Sequence, residues 1–492
     1  MVTMKNSTNP LVLIVKDWIR YIPTSVIPAM LMLAASAIFT RMFPPHVYGL
    51  YSLAIAISIP VVNAFSQPLS QSVGRFYYEF ASAEKLQLFQ QTISTLLFRV
   101  TIVFLPIDIL LGLWLLQSHR ETPSMVWALM IFMVLRIITA SLIPTILFSF
   151  QVRRYQIIVL VTAFLGTAVP LTFTMFFGYN ISFLLWGNVV GILAFLPTIF
   201  WWSKIHLSWP TIKRSGEHIL VLHRFLRYGL PFVPWFVSES MLSIGDRYIL
   251  EWFHGPSSVA VYSVNYAVAQ QAIGLLAGPF ITALGPRLVQ QWSTNGSEAT
   301  KTLLANITNI YFIIEGMIVG LLIVNGHSLM SILVGKQYVR GFIIIGPVAV
   351  GRAIWGSSMI GHKTMELTER SSLMMWDAGI AAVINIILNL WLVPHYSLMG
   401  ASIAMIAGYC IYAIMVWYQS KEKLSWDISF GLVIRVILLT SLCVIIVNTI
   451  NFEHGAILDL FVSTVSFIVL YGFGMATWIR PKWEELKSLF IP

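Results

Sequence analysis

Long apolar stretches separated by short polar ones repeat along the whole 492-residue chain. A transmembrane helix needs about 20 mostly apolar residues to cross a hydrocarbon core of roughly 30 Å. Fourteen stretches meet that requirement, near 21–42, 47–69, 92–116, 125–150, 157–177, 182–202, 229–252, 259–285, 303–325, 340–361, 373–393, 398–418, 431–450 and 457–478. The seventh is the most interrupted, because Glu239, Asp246 and Arg247 lie inside it. The run 11–15 is too short for a secretory signal and has no small-residue cleavage site. With Trp18, Ile19 and Tyr21 it predicts an interfacial helix before the first span. Two further amphipathic segments, 76–90 and the C-terminal run with Trp483, Leu486 and Phe490, are expected to lie on the inner leaflet.

Composition turns this pattern into a class. Apolar types make up 58% of the chain and charged types 10%, where a soluble domain carries roughly 25% charged residues. An aqueous fold could not hide that much apolar surface, so the expectation is an all-α polytopic membrane protein. The net charge of +10 does not point to nucleic acid, because of where the charge falls. With the N-terminus in the cytoplasm, 21 of the 30 Lys/Arg fall on cytoplasmic segments and 4, namely Arg41, Arg120, Lys336 and Arg340, on outer ones. This is the positive-inside asymmetry. It predicts a multi-pass membrane protein with both termini cytoplasmic. An odd number of spans would scramble it.

The outer connections are short, as at 44–46 and 253–257. The longest inner one, 203–228, follows the sixth span and holds five Lys/Arg. It divides the chain into an N-terminal lobe over 1–202, a cytoplasmic linker over 203–228 and a C-terminal lobe over 229–418. The remainder, 419–492, would be an appended helix pair with a cytoplasmic C-terminal helix. A faint internal repeat agrees with this. Tyr51-Ser52 is followed seventeen residues on by Pro68, and Tyr262-Ser263 by Pro279 at the same interval. Two six-helix lobes of like orientation around a central cavity are one plan for secondary transporters.

Candidate chemistry is defined first by what is missing. There is no Walker A loop, since Gly335-Lys336 lacks the earlier glycine and the following Ser/Thr. There is no HExxH, no Cys-x-x-Cys and no nucleophile elbow, and the ten histidines do not cluster at metal spacing. No catalytic residue, metal or cofactor is implied. Cys410 and Cys443 fall inside spans and read as packing residues.

What remains is intramembrane charge, which costs roughly 2.5–3.5 kcal/mol per residue at a helix centre and therefore faces a partner or water. Arg99 and Arg435 lie near span ends, where they can snorkel. Arg136, Arg247 and Arg352 are deeper. A guanidinium stays charged when buried and presents a fork that fits phosphate, so these three are candidate phosphate ligands. Ion pairing within the bundle is the competing reading. Glu239 and Asp246 are seven apart and share a helix face with Ser243 between them, whereas Arg247 projects about 100° away and is within i+4 of Glu251. The acids Asp246, Glu239, Glu315 and Asp108 are candidates for coupling to H+ or Na+, again against a structural salt-bridge role. Asn385 and Asn389, one turn apart, are expected to bond between helices.

Three stretches carry a resemblance. They are Thr40-Arg41-Met42-Phe43-Pro44 to Tyr48-Gly49-Leu50-Tyr51; Gly245-Asp246-Arg247-Tyr248-Ile249-Leu250 followed by Val261-Tyr262-Ser263; and Asn385 to Asn389, Pro394 and Gly400-Ala401-Ser402-Ile403-Ala404. In order and spacing, across most of the chain, the sequence resembles the polysaccharide (O-antigen type) flippases of the multidrug/oligosaccharidyl-lipid/polysaccharide exporter superfamily. The resemblance implies two six-helix lobes that open alternately to each side. It also implies an undecaprenyl-pyrophosphate-linked oligosaccharide as substrate, and a place in surface-polysaccharide assembly with membrane lipids and other assembly proteins as partners. It puts the anionic head group on Arg247 and extends to Arg41. Arg136 and Arg352 rest on depth in the membrane. The alternatives are a drug/cation antiporter of the same superfamily, which would favour an acidic cavity, and a membrane-embedded glycosyltransferase or polymerase, which would need larger outer loops.

Overall fold

The computed structural model describes residues 10–117, 122–149, 151–178, 180–205, 216–368, 370–449 and 456–479. The expected C-terminal surface helix lies outside them. In lipid every backbone polar group must be satisfied within its own segment, which favours helices, and the described chain is built of them. They are α1 (Pro10–Met42), α2 (Pro45–Ser82), α3 (Leu86–Gln117), α4 (Pro123–Phe148), α5 (Val152–Phe177), α6 (Ser182–Ser203), α7 (Gly216–Gly229), α8 (Phe232–Leu333), α9 (Lys336–Val339), a 3-10 turn Arg340–Ile344, α10 (Ile345–Leu367), α11 (Ser371–Ser420), α12 (Phe430–Thr449) and α13 (Ala456–Ile479). Among the described residues, eleven helices are long and apolar enough to cross a membrane.

Three backbone breaks resolve the longest helices. Gly255 and Gly296 take φ of +74° and +77° inside α8, a region open to glycine because it has no Cβ. They part α8 into arms 232–254, 256–295 and 297–333. Ser397 (φ 48°, ψ −123°) does the same for α11. The helices and arms then overlap in position with the fourteen apolar stretches of the sequence. Prolines mark helix starts where their missing N–H costs nothing, as at Pro45 and Pro123.

Three local expectations are corrected. The residues assigned to a separate interfacial helix are continuous with α1. The segment 76–90 is no independent surface helix: α2 runs on to Ser82, the chain turns at Glu84 (φ 57°), and α3 begins at Leu86. The linker 203–228 holds α7, whose Leu222 and Phe225 are buried with Phe76, Phe80 and Phe89 of α2 and α3. Arg224 fastens it further, with a bidentate pair to Glu79 (2.5 and 2.9 Å) and its guanidinium 4.6 Å from the Phe76 ring centroid.

The chain divides into two compact units, residues 38–260 and residues 1–37 with 261–492. In the first, α2 packs against α4 and α7, and α6 against α4 and α5. In the second, α10 packs on α11, and α12 on α13. The α12–α13 pair is docked onto arm 297–333 at two glycines. A Cβ on Gly316 or Gly320 would overlap Val436 or Phe467. Thr440 donates to the Gly316 carbonyl (3.2 Å), Tyr471 to that of Ile313 (2.8 Å), and Asn325 to Thr464 (3.2 Å). Small residues that let backbones approach, with polar groups bonded across, are the usual helix contact in lipid. Both cysteines are free.

Candidate functional site

Within the unit 38–260, helices α2, α4, α5 and α6 enclose a cavity of about 370 Å³. Its walls combine Ile, Val and Phe side chains with Ser58, Asn63, Arg136, Thr139, Thr162 and Asn188. The hydroxyls are tied to their own helices: Ser58 donates to Ile55 O (2.7 Å), Thr139 to Leu135 O (3.0 Å) and Thr162 to Ile158 O (2.6 Å). Asn188 donates to Leu184 O (2.8 Å) and Asn63 to Ser240 Oγ (3.3 Å).

Arg136 differs from these. It projects from the middle of α4, is exposed, and is one of the residues that line the cavity. Among the described residues its guanidinium has no hydrogen bond and no ion pair. A fixed cation at bilayer depth, without a counter-charge, in a space lined by hydroxyls and amides, is a site for an anion that carries hydrogen-bonding groups.

The other sequence candidates are placed differently. Arg247 is 8% exposed; it donates to Ser243 O (3.1 Å) and lies 3.9 Å from Asp246, which is itself buried. Glu239 is partly buried on the same arm. Arg41 is exposed in the last turn of α1. Asp108 is buried in α3, and its Oδ1 has no hydrogen-bond partner among the described residues. In the other unit, Arg352 on α10 lies 3.5 Å from the Tyr409 hydroxyl of α11, and Glu315 on arm 297–333 is within its electrostatic reach. Asn385 and Asn389 correct an expectation. Among the described residues their bonds run within one helix, from Asn389 Nδ2 to Asn385 O (2.9 Å) and Oδ1 (3.2 Å), and not between helices.

The cavity's Asn63 and Asn188 were not singled out from sequence. The signal available was a carboxamide alone in an apolar span, where a polar group has to find a partner.

This is an all-α polytopic membrane fold, and solved membrane transporters share it. The chain aligns in structure with the lipid II flippase MurJ in an inward closed conformation, with a TM-score of 0.73 at 14% identity over 94% of this chain and 99% of that one. It aligns with an outward-facing multidrug resistance MATE family transporter of the MOP superfamily at 0.62, 12% identity, and 84% and 96% coverage. A MOP superfamily transporter from Pyrococcus furiosus, described by the reverse polarity of its binding pocket, aligns at 0.63, 13% identity, and 84% and 96% coverage. In sequence, the uncharacterized membrane protein MJ1068 of Methanocaldococcus jannaschii is 21% identical over 338 residues. That match covers 67% of this chain and 66% of the relative, just under two thirds of its length. No protein-family model matches.

Proposed function

We propose that the protein is a flippase. It carries an undecaprenyl-pyrophosphate-linked oligosaccharide from the cytoplasmic to the outer leaflet of the inner membrane, for O-antigen or other surface-polysaccharide assembly. The observation that carries this reading is Arg136: a guanidinium with no partner among the described residues, in a cavity whose lining includes hydroxyls and carboxamides. A pyrophosphate supplies the missing anion, and sugar hydroxyls suit the Ser, Thr and Asn groups around it. The likeness in fold to a protein named as a lipid II flippase supports the same class of cargo. Its named neighbours are transporters and a flippase, and the reading assigns no catalysis.

Arg247, Arg41 and Arg352 are further contacts for the head group as it passes. Asp246, Glu239, Glu315 and Asp108 are the groups proposed to couple transport to H+ or Na+. The movement is alternating access, with the lobes bounded at 1–202 and 229–418 and with both termini in the cytoplasm, as the charge asymmetry requires.

A second reading, drug/cation antiport, is favoured by the likeness in fold to MATE transporters. A cationic cavity repels a cationic drug, which weighs against it. The experiment uses proteoliposomes carrying a fluorescent undecaprenyl-pyrophosphate-linked oligosaccharide in both leaflets and an external quencher. The flippase reading expects the protected inner-leaflet pool to become quenched only when the protein is present. Movement of a cationic dye without movement of the lipid would establish the antiporter instead.

A further inference from the structure

Within the unit 1–37 and 261–492, α11 folds back at Ser397 and sets an acid against an amide. Asp377 on arm 371–396 and Gln419 on arm 398–420 lie about twenty residues either side of that break. Asp377 is 0% exposed and shares a buried helix face with Met374, Ala378 and Ala381, while Trp376 and Ile380 take the exposed face. Gln419 Nε2 donates to Asp377 Oδ1 at 2.7 Å. Among the described residues the other two acceptors of this pair, Asp377 Oδ2 and Gln419 Oε1, are both buried and both without a hydrogen-bond partner. Buried polar atoms are nearly always hydrogen-bonded, so two orphan acceptors beside one bond ask for a shared donor.

The charged groups nearby are engaged elsewhere. Just before α11, Arg370 donates to the main-chain carbonyl of Gln419 (3.2 Å) and pairs with Glu422 (2.6 Å) in the loop after the second arm. Lys421 of that loop lies 3.4 Å over the Trp417 ring. From α10, which packs along α11, His362 bonds to the Tyr412 hydroxyl (2.6 Å), Lys363 holds Glu366 (2.8 Å), and Arg352 lies at the Tyr409 hydroxyl (3.5 Å). Among the described residues Asp377 makes no ion pair; its bond is the one to Gln419. A hard cation takes about six oxygen ligands or more, and this pair offers two. A proton needs no such shell. A protonated carboxyl has one O–H donor and a carbonyl acceptor, and a carboxamide has N–H donors and a carbonyl acceptor. A proton on Asp377 Oδ2 that is donated to Gln419 Oε1 closes a ring with the bond already present and satisfies both orphans.

We propose that Asp377 and Gln419 form a proton-binding site: with the proton on Asp377 Oδ2 the two side chains close a cyclic carboxylic acid–carboxamide pair, and the proton exchanges with the side of the membrane where Arg370 and Lys421 lie. The site is separate from the acids proposed above for coupling, and it does not depend on the nature of the cargo. Loss of the proton leaves a buried carboxylate with a single donor, so binding and release also set how firmly the two arms are joined.

Infrared difference spectroscopy tests this, because a carboxylic acid has a C=O stretch that a carboxylate lacks. The full chain in lipid nanodiscs is compared with Asp377→Asn at pH 5, where an ordinary aspartate is ionised, and at pH 9. The native-minus-variant spectrum should show a carboxylic acid band at pH 5 that shifts in D2O and is lost at pH 9. In Gln419→Leu the band should move to higher frequency, because the acid has lost its partner. Melting temperature gives a second readout. An asparagine at 377 can both donate to and accept from Gln419, so Asp377→Asn should melt with the native chain, whereas Asp377→Leu should melt several degrees lower. The proposal is overturned by the absence of a carboxylic acid band at pH 5, by a band that persists unchanged at pH 9 or in Gln419→Leu, or by Asp377→Asn melting as low as Asp377→Leu.

Discussion

Gly49 and Pro256 approach so closely that a Cβ on Gly49 would overlap the Pro256 carbonyl oxygen. Helix α2 therefore abuts the chain where α8 turns at Gly255. At the other end of the same pairing a Cβ on Gly229 would overlap the carbonyl of Pro68, and between them Asn63 bonds to Ser240 at 3.3 Å. Gly49→Ala and Gly229→Ala should each destabilise the protein by about 1–3 kcal/mol, the usual range for overpacking. Gly431 and Gly472 have no atom within 4 Å of a built Cβ, so alanine there should leave the melting temperature in detergent unchanged. Equal melting temperatures for all four variants would refute the contact.

Trp426 is a large, fully buried side chain that seats the 421–429 loop. Its backbone N–H donates to Ser420 Oγ (3.0 Å), and the loop is tied by Arg370–Glu422 (2.6 Å) and Lys301–Asp427 (3.3 Å). Trp426→Ala should cost about 3–5 kcal/mol, as truncation of buried aromatics does. Removing the half-exposed Lys301–Asp427 pair should cost no more than about 1 kcal/mol. Denaturation of the two variants in mild detergent compares them directly.

His218 in α7 is buried, and both that burial and the charge of Arg99 hold its imidazole below the ordinary value of 6.5. The docked helix therefore carries a neutral His218. Its contribution is present above pH 6.5 and is lost as the pH falls toward the lowered value, because the undocked state binds the proton first. A nitroxide at His223 should become more mobile between pH 7 and pH 5, and His218→Gln should remove that change. Mobility independent of pH in the native chain would contradict the effect.

The pair Arg224–Glu79 is half exposed, at 50% and 46%. A double-mutant cycle on α7 docking should give about 0.2–1 kcal/mol. The stacking of Arg224 on Phe76 adds to Arg224→Ala but cancels in the cycle. A coupling above a few kcal/mol would mean that the pair is shielded from water.

Hydropathy alone anticipated an all-α chain of long apolar helices, because the bilayer imposes a minimum length on each. It could not show that α7 is docked. The reason is that Leu222 and Phe225 look like any amphipathic pair until Phe76, Phe80 and Phe89 are seen to cover them. The arginines separate for a similar reason. Arg136 and Arg247 are both deep in apolar spans, yet Arg247 is spent on Ser243 and Asp246 while Arg136 opens into a cavity. Which of two guanidinia finds a partner depends on helices distant in sequence. The resemblance pointed to Arg247, whereas the open geometry belongs to Arg136. Similarly, Asn389 donates to Asn385 along a single helix, an option the i+4 spacing always allowed.

The most direct test of the central claim is equilibrium binding of farnesyl pyrophosphate and of uncharged farnesol to the native chain and to Arg136→Ala. Binding of the pyrophosphate should be at least tenfold weaker in the variant, about 1.4 kcal/mol, and partly restored by Arg136→Lys, while farnesol binds weakly and equally to all three. If Arg136→Ala bound farnesyl pyrophosphate as tightly as the native chain, the guanidinium would not be the anion site, and the account would fail.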